Sequence, residues 1–238
     1  MSPLPKSAGA APREGLKSVL ARTRSCTLCA AHLPLGPRPV VRASATARLL
    51  IVGQAPGTKV HATGIPWNDR SGDRLRDWLG LDRDTFYDES LIAIVPMGFC
   101  YPGVDANGGD LPPRPECAPL WHPQIRPHLR RVGLTLLIGQ YAQRHYLGRR
   151  RKRGMTETVG AWRDYLPDFL PLPHPSWRNT AWLRRNPWFE AEVVPVLRGR
   201  VREMLEADKA HPKGAGKNPP PLAGGGRGRG RDRKTNNR

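Results

Sequence analysis

No stretch of this chain approaches the ~20 consecutive apolar residues of a membrane-spanning helix, and Met1 to Ala11 lacks the apolar core of a secretory signal. Neither a membrane protein nor an exported one is expected; an intracellular, cytoplasmic protein is. Acidic residues are scarce too. Twenty Asp and Glu face thirty-nine Lys and Arg, a formal net charge of +19 with a pI near 10.9. Such an imbalance points to a polyanionic partner, because each basic side chain at a phosphate releases a condensed counterion. Part of the charge sits in the C-terminal tail, but the body is basic as well, so nucleic acid is favoured over a merely solvated surface. Cysteine is sparse: four in 238 residues of an intracellular chain argue against a disulfide framework. No spare apolar stripe marks an obligate interface, so a monomer is expected.

What is present alternates between strand and helix signals. Leu49 to Val52 is a continuous apolar run ended by Gly53, as in a buried parallel strand; Leu91 to Val95 and Leu134 to Ile138 repeat the pattern. Periodicity predicts helices over residues 13–23, 69–81, 120–132 and 141–147, with Ser71 or Asp69 capping the second. Trp162 to Leu172 supplies one or two short strands. A last helix opens at Asn186-Pro187 with Phe189, Val193, Leu197, Val201 and Leu205 as its stripe, and Pro195 should kink it. The alternation predicts one three-layer α/β domain over residues 13–207, its four-stranded, mostly parallel sheet covered by helices on both faces. Residues 1–12 read as loose. Residues 208–238, with Pro219-Pro220-Pro221 and a Gly/Arg run from Gly224 to Arg231, read as a disordered tail: a nucleic-acid tether, or a solubilising segment.

Ligands of such sheets lie beyond the carboxyl ends of the strands. Two segments follow predicted strands there, about 120 residues apart: Gly53-Gln54-Ala55-Pro56-Gly57 and His174-Pro175-Ser176, with Gly64-Ile65-Pro66-Trp67 between them. A glycine-lined turn, an aromatic plate and one histidine make a pocket for a flat polar ring. Taken alone, Gly-x-x-Pro-Gly is often only a strand-to-loop turn, and the lesser alternative for Trp67 is ordinary core packing. Cys26-x-x-Cys29, Cys100 and Cys117 can complete a four-thiolate site; zinc and an iron-sulfur cluster both fit that count.

In order and offset these motifs resemble the uracil-DNA glycosylase superfamily, most closely its bacterial and archaeal four-cysteine branch, whose first motif reads Gly-Glu-x-Pro-Gly and whose last begins His-Pro. The likeness runs through residues 24–206 and includes the 11-residue offset from Gly53 to Gly64. It implies a monofunctional glycosylase that flips uracil, or another deaminated base, out of DNA and hydrolyses its N-glycosidic bond, leaving an abasic site. His174 would donate to the base oxygen as a neutral imidazole, and Gln54 would orient the water. Gly53, Ala55, Pro56 and Gly57 would approach base and sugar, and Trp67 would stack on the base. Ala93 stands where the family carries its base-reading Asn. Ser71 and Gly72 would hold a phosphate at a helix start. Ser176, Trp177 and Arg178 would enter the minor groove, with Arg184 and Arg185 on phosphates nearby. The likeness also implies a 4Fe-4S cluster on the four cysteines, with zinc as runner-up, clamping the N-terminal segment and the 98–117 loop.

Three departures stand out. Gln54 replaces Glu and cannot act as a base. The usually acidic segment reads Thr58 to Thr63, where His61 is a candidate for placing water. Ala93 lacks an amide, which leaves base choice to backbone groups or Asn68. Residues 101–116 contain no His, so the covalent product trapping of some relatives is not expected. Arg149 to Arg153 reads equally as a phosphate contact or a solvated loop. A non-catalytic binder of damaged or abasic DNA on the same scaffold is the alternative function.

Overall fold

The computed structural model describes residues 14–106 and 108–209; the segment expected to be loose and nearly all of the basic tail lie outside them. Strands β1 (Leu49–Val52), β2 (Ile92–Ile94), β3 (Leu134–Ile138) and β4 (Phe169–Leu172) form one parallel sheet in the order β2-β1-β3-β4. Every residue of β1, β2 and β3 is buried, which is why these segments read as apolar runs, broken only by the buried Thr135 of β3. Alternation survives across the sheet. Leu49, Ile51, Ile94 and Leu136 enter one core, and Leu50, Val52, Ala93 and Leu137 the other. Pro171 is tolerated because β4 is an edge strand.

In chain order the helices are α1 (Leu16–Arg24), α2 (Thr58–Thr63), α3 (Arg70–Leu79), α4 (Arg83–Tyr87), α5 (Cys117–Ile125), α6 (Gln140–Leu147), α7 (Met155–Gly160), α8 (Thr180–Arg185) and α9 (Val194–Lys209). Leu75, Trp78 and Leu79 of α3 and Leu197 and Val201 of α9 cover the first face. Val19 and Leu20 of α1, Trp121 and Ile125 of α5 and Ala142 of α6 cover the second. The result is the three-layer α/β domain. No helix among the described residues is long and apolar enough to cross a membrane.

Several expectations are corrected. Thr58 to Thr63 is a helix rather than a loop, bracketed by extended Gly57 and by Gly64 at φ +70, a left-handed C-cap that glycine adopts freely. Helix α4 is launched by Asp82, whose carboxylate accepts from the Thr85 amide at 2.7 Å. Helix α5 accommodates Pro123 but stops at Ile125 instead of running to Val132: Pro127 has no N–H to donate to the Pro123 carbonyl, and a 3₁₀ turn, Arg126–His128, follows. Residues 162–172 give a 3₁₀ turn, Trp162–Tyr165, and a single strand. The final stripe of Phe189, Val193, Leu197, Val201 and Leu205 is buried as expected. Ahead of Pro195, where a kink was expected, the helix has a π-helical turn over Phe189–Val193, and α9 follows it from Val194.

His122 ties α5 to the exit of β2. Its Nε2 lies 2.9 Å from the Pro96 carbonyl and its Nδ1 2.7 Å from the Tyr146 hydroxyl. A carbonyl only accepts, so Nε2 carries the proton and Nδ1 accepts from Tyr146. Desolvation pushes its pKa down from 6.5 to about 4. Between those values the unfolded chain binds the proton and the folded one does not, so stability falls as pH falls through that window. At ~1.4 kcal/mol per pH unit over roughly 2.5 pH units, the loss by pH 4 is about 3 kcal/mol. Urea unfolding should therefore show wild type losing about 3 kcal/mol more than His122→Gln between pH 7 and pH 4; equal losses would contradict this.

Candidate active site

The carboxyl ends of the strands meet at a cavity of about 320 Å³, at the lower end of the ~300–1,000 Å³ range of small-molecule sites. Leaving β1, the chain lines it with Gly53, Gln54, Ala55, Pro56 and Gly57; leaving β4, with His174, Ser176, Trp177 and Arg178. Trp67 and Ser71 arrive from the segment that opens α3. Eleven of the expected residues thus meet at one site.

His174 is held in a defined state. The Ser176 amide donates to its Nδ1 at 3.2 Å, so Nδ1 is the unprotonated nitrogen and Nε2–H is the donor. The Asn179 side chain donates to the His174 carbonyl at 2.7 Å, fixing the backbone. Burial is the main cause of a pKa lowered from 6.5, opposed by the charges of Asp69 and Asp110. Near pH 7 the ring is a neutral donor.

Trp67 faces it. The two ring centroids are 5.4 Å apart at 32°. The indole rests on Gly53, where a Cβ would lie 2.8 Å from Cζ2. The absent side chain of Gly53 therefore seats the indole, besides admitting a ligand. Gln54 spends its amide on the Leu111 carbonyl at 3.1 Å, leaving its Oε1 as an acceptor. Arg178 donates to the Gly108 carbonyl at 2.6 Å, so the 103–111 loop is tied to both motifs. Trp177 stands 70% exposed at the rim with the Arg178 guanidinium 5.2 Å from its ring centroid.

Four expected residues are not at the cavity. Ala93 is fully buried in the second core, because its place in β2 turns it there; Ile94 and Pro96 line the cavity instead. The Gly72 amide donates to the Asp69 carboxylate at 2.9 Å, and an anionic cap at a helix start excludes a phosphate from it. Arg184 lines a separate groove with Arg74 and Glu190. Arg185 donates to the Ala181 carbonyl of its own helix. Neither candidate substitute for reading or water placement reaches the cavity: Asn68 accepts from Arg83 at 3.1 Å, and His61 packs toward Tyr101. In the basic run, Lys152 pairs with Asp164 and Arg150 donates to the Asp164 carbonyl, so part of it braces the Trp162–Tyr165 turn.

Asp69, Arg70, Pro96 and Asp110 line the cavity without having been anticipated there. Asp69 was legible as a helix cap, and that signal marked its position; its exposure to the cavity and the inward turn of Asp110 depend on the folded loops.

Cys26, Cys29, Cys100 and Cys117 line one small cavity with Leu33, Phe99 and Trp121. Three segments converge there: the turn after α1, the exit of β2 and the start of α5. The Phe99 amide donates to Cys117 Sγ at 3.4 Å. Burial first, and the neighbouring cysteines after it, push the Cys117 thiol up to about 12. Among the described residues no three His, Cys, Asp or Glu side chains are grouped closely enough to hold a single metal ion.

The sequence model of the uracil DNA glycosylase superfamily matches residues 41–198, a span that holds all four strands and both motifs of the cavity.

Proposed function

The chain belongs to the uracil DNA glycosylase superfamily and so stands among the glycosylases that act on damaged bases in DNA repair; from that premise we propose that it excises uracil, or another deaminated base, by hydrolysing the N-glycosidic bond. The observation that carries this reading is the fixed tautomer of His174, whose Nε2–H is a preorganised donor in a cavity walled by the Gly53–Gly57 turn and the Trp67 indole. As the bond from C1′ to the base nitrogen breaks, its electron pair leaves with the base and negative charge gathers on the base oxygen. A donor already in place for that charge is the largest lever such a site has. The sugar becomes oxocarbenium-like, and the carboxylates of Asp69 and Asp110 supply facing negative charge. Gln54 Oε1 orients the water that attacks C1′, and a carboxylate takes the proton it releases. Trp67 stacks on the extruded base, a contact of ~1–3 kcal/mol in nucleic-acid binders. Trp177, exposed at the rim, enters the stack that the base has left. Among the described residues no lysine lines the cavity, so a plain hydrolase without lyase chemistry is the proposed form.

The test is alkali-revealed strand cleavage of labelled oligonucleotides carrying U:G, U:A, single-stranded U, hypoxanthine or xanthine. Cleavage at uracil supports the reading. Cleavage at hypoxanthine or xanthine alone keeps the chemistry and reassigns the base. No cleavage at any of them removes the enzyme and leaves a binder of damaged or abasic DNA.

We further propose that the four cysteines hold a 4Fe-4S cluster. What supports it is their convergence on one cavity and an amide already donated to one sulfur. The preference for the cluster over zinc rests on the order and intervals of Cys26-x-x-Cys29, Cys100 and Cys117, which resemble those of the four-cysteine glycosylases. Bound there, the cluster would be a structural staple for the N-terminal segment and α5. Protein purified without oxygen should absorb in the visible and contain iron and acid-labile sulfide, and Cys29→Ala should lose the colour. A colourless protein containing only zinc would overturn the assignment.

A further inference from the structure

Trp67 is the one non-glycine residue among those described that has a positive φ, +56. That region is disfavoured for a bulky side chain and persists only where surrounding contacts over-determine it. Those contacts come from α3 and α4. The Tyr87 hydroxyl donates to the Pro66 carbonyl at 2.8 Å, and Arg76 Nη1 donates to the next carbonyl, that of Trp67, at 3.2 Å. The same Nη1 lies 3.4 Å from the Tyr87 hydroxyl, and Nη2 pairs with Asp73 at 2.5 Å. Arg76 is only 8% exposed, with its guanidinium 5.3 Å from the Phe86 ring centroid and 5.8 Å from that of Tyr87. A buried arginine is costly unless its donors are met; here one of them is spent on the carbonyl of the strained residue. Pinning two consecutive carbonyls from one side leaves the indole on the other, against Gly53 and beside His174.

Resting on the excision reading above, we propose that Arg76 and Tyr87 are positioning residues of the reaction: together they lock the Pro66–Trp67 backbone in its left-handed turn, so that the indole presents a fixed face to the extruded base. Neither residue lines the cavity, and both act through Trp67. A lock set before binding spares the ordering cost that a mobile aromatic would meet on each turnover. The competing role is simple glue between α3 and α4, which would leave the indole where it is when one hydroxyl is removed.

The test uses the full chain with its tryptophans ¹⁵N-labelled at the indole, the Trp67 resonance being identified by its absence in Trp67→Phe. Tyr87→Phe keeps the ring and its packing and removes only the donated hydrogen bond. The Trp67 indole resonance should shift and broaden in Tyr87→Phe while those of Trp177 and Trp182 hold their positions; an unmoved Trp67 resonance overturns the proposal. On the base identified by the cleavage panel, Tyr87→Phe and Arg76→Lys should each slow single-turnover excision about tenfold, the scale of one well-placed hydrogen bond, with duplex affinity unchanged. In a Trp67→Ala background neither should cause a further loss; losses that multiply instead would also overturn it. Should Arg76→Lys fold poorly, the Tyr87→Phe cycle stands alone. If wild type excises no base, the excision reading fails by itself, and the indole resonance still decides the lock.

Discussion

His174→Ala is expected to slow single-turnover excision about 10²–10³-fold, the loss of ~2.7–4 kcal/mol typical of removing one preorganised donor to a developing oxyanion. Duplex affinity should stay close to wild type, because binding rests chiefly on phosphate contacts that this ring does not make. The size of the effect follows from how completely the ring is committed. The Ser176 amide occupies Nδ1, so no reorientation or tautomer exchange stands between the resting ring and the donor the reaction needs. Protonating Nδ1 would set two N–H groups against each other, and burial, the leading cause, already lowers the pKa against the pull of Asp69 and Asp110. The rate should accordingly show no inflection at pH 6.5, where an ordinary histidine titrates. A variant within tenfold of wild type would mean that another group, Ser71 or a backbone amide, carries the charge.

Gly72→Ala should be among the most destabilising single-methyl additions in the domain. A Cβ at residue 72 would sit 1.7 Å from the Trp67 carbonyl oxygen and 2.5 Å from its carbon. Relief requires backbone to move by about an ångström or more, and the oxygen that must retreat is the one held by Arg76. Overpacking a core costs ~1–3 kcal/mol when side chains can adjust; with backbone on backbone, at least about 3 kcal/mol is expected. For a domain of this size that lowers Tm by roughly 6–12 °C. Gly53→Ala is the control. Its Cβ meets the Trp67 ring at 2.8 Å, and a ring can tilt, so Tm should move by no more than about 2 °C while excision slows with the displaced indole. Thermal unfolding of both variants beside their excision rates reads the contrast. A Gly72→Ala protein melting with wild type would show that the Trp67 carbonyl is not held where Arg76 meets it.

Much of the fold was legible because its signals are local. β1 and β3 announce themselves as apolar runs closed by Gly53 and Gly139, since a strand buried on both faces has no polar side to alternate. The stripe from Phe189 to Leu205 needs only the helical period. The short helices α2, α4 and α7 were not legible from periodicity, having too few turns to develop a stripe; Gly64 and the Asp82–Thr85 cap were the signals available, and both lie in the turns. Pro127 shows the opposite failure, where the predicted helix continued past a residue that cannot donate.

The residues of the cavity divide in the same way. That Gly53–Gly57 and His174–Ser176 share a site follows from each succeeding a parallel strand, because such strands all end at one edge of the sheet. Cys26, Cys29, Cys100 and Cys117 were countable as a set for the same kind of reason: ligand type and spacing are written in the chain. Three things were not written there. Whether Ala93 or its neighbour Ile94 reaches the cavity is settled by the face on which β2 presents each residue beside β1. The tautomer of His174 is set by the Ser176 amide two residues on, through the shape of the turn after β4, and the left-handed turn of Trp67 is braced by Arg76 and Tyr87 from α3 and α4. Chain order and local period determined which chemistry gathers at the sheet edge; the folded structure decided which atom of each side chain faces the cavity, because that choice depends on the shape of each turn and on partners distant in the chain.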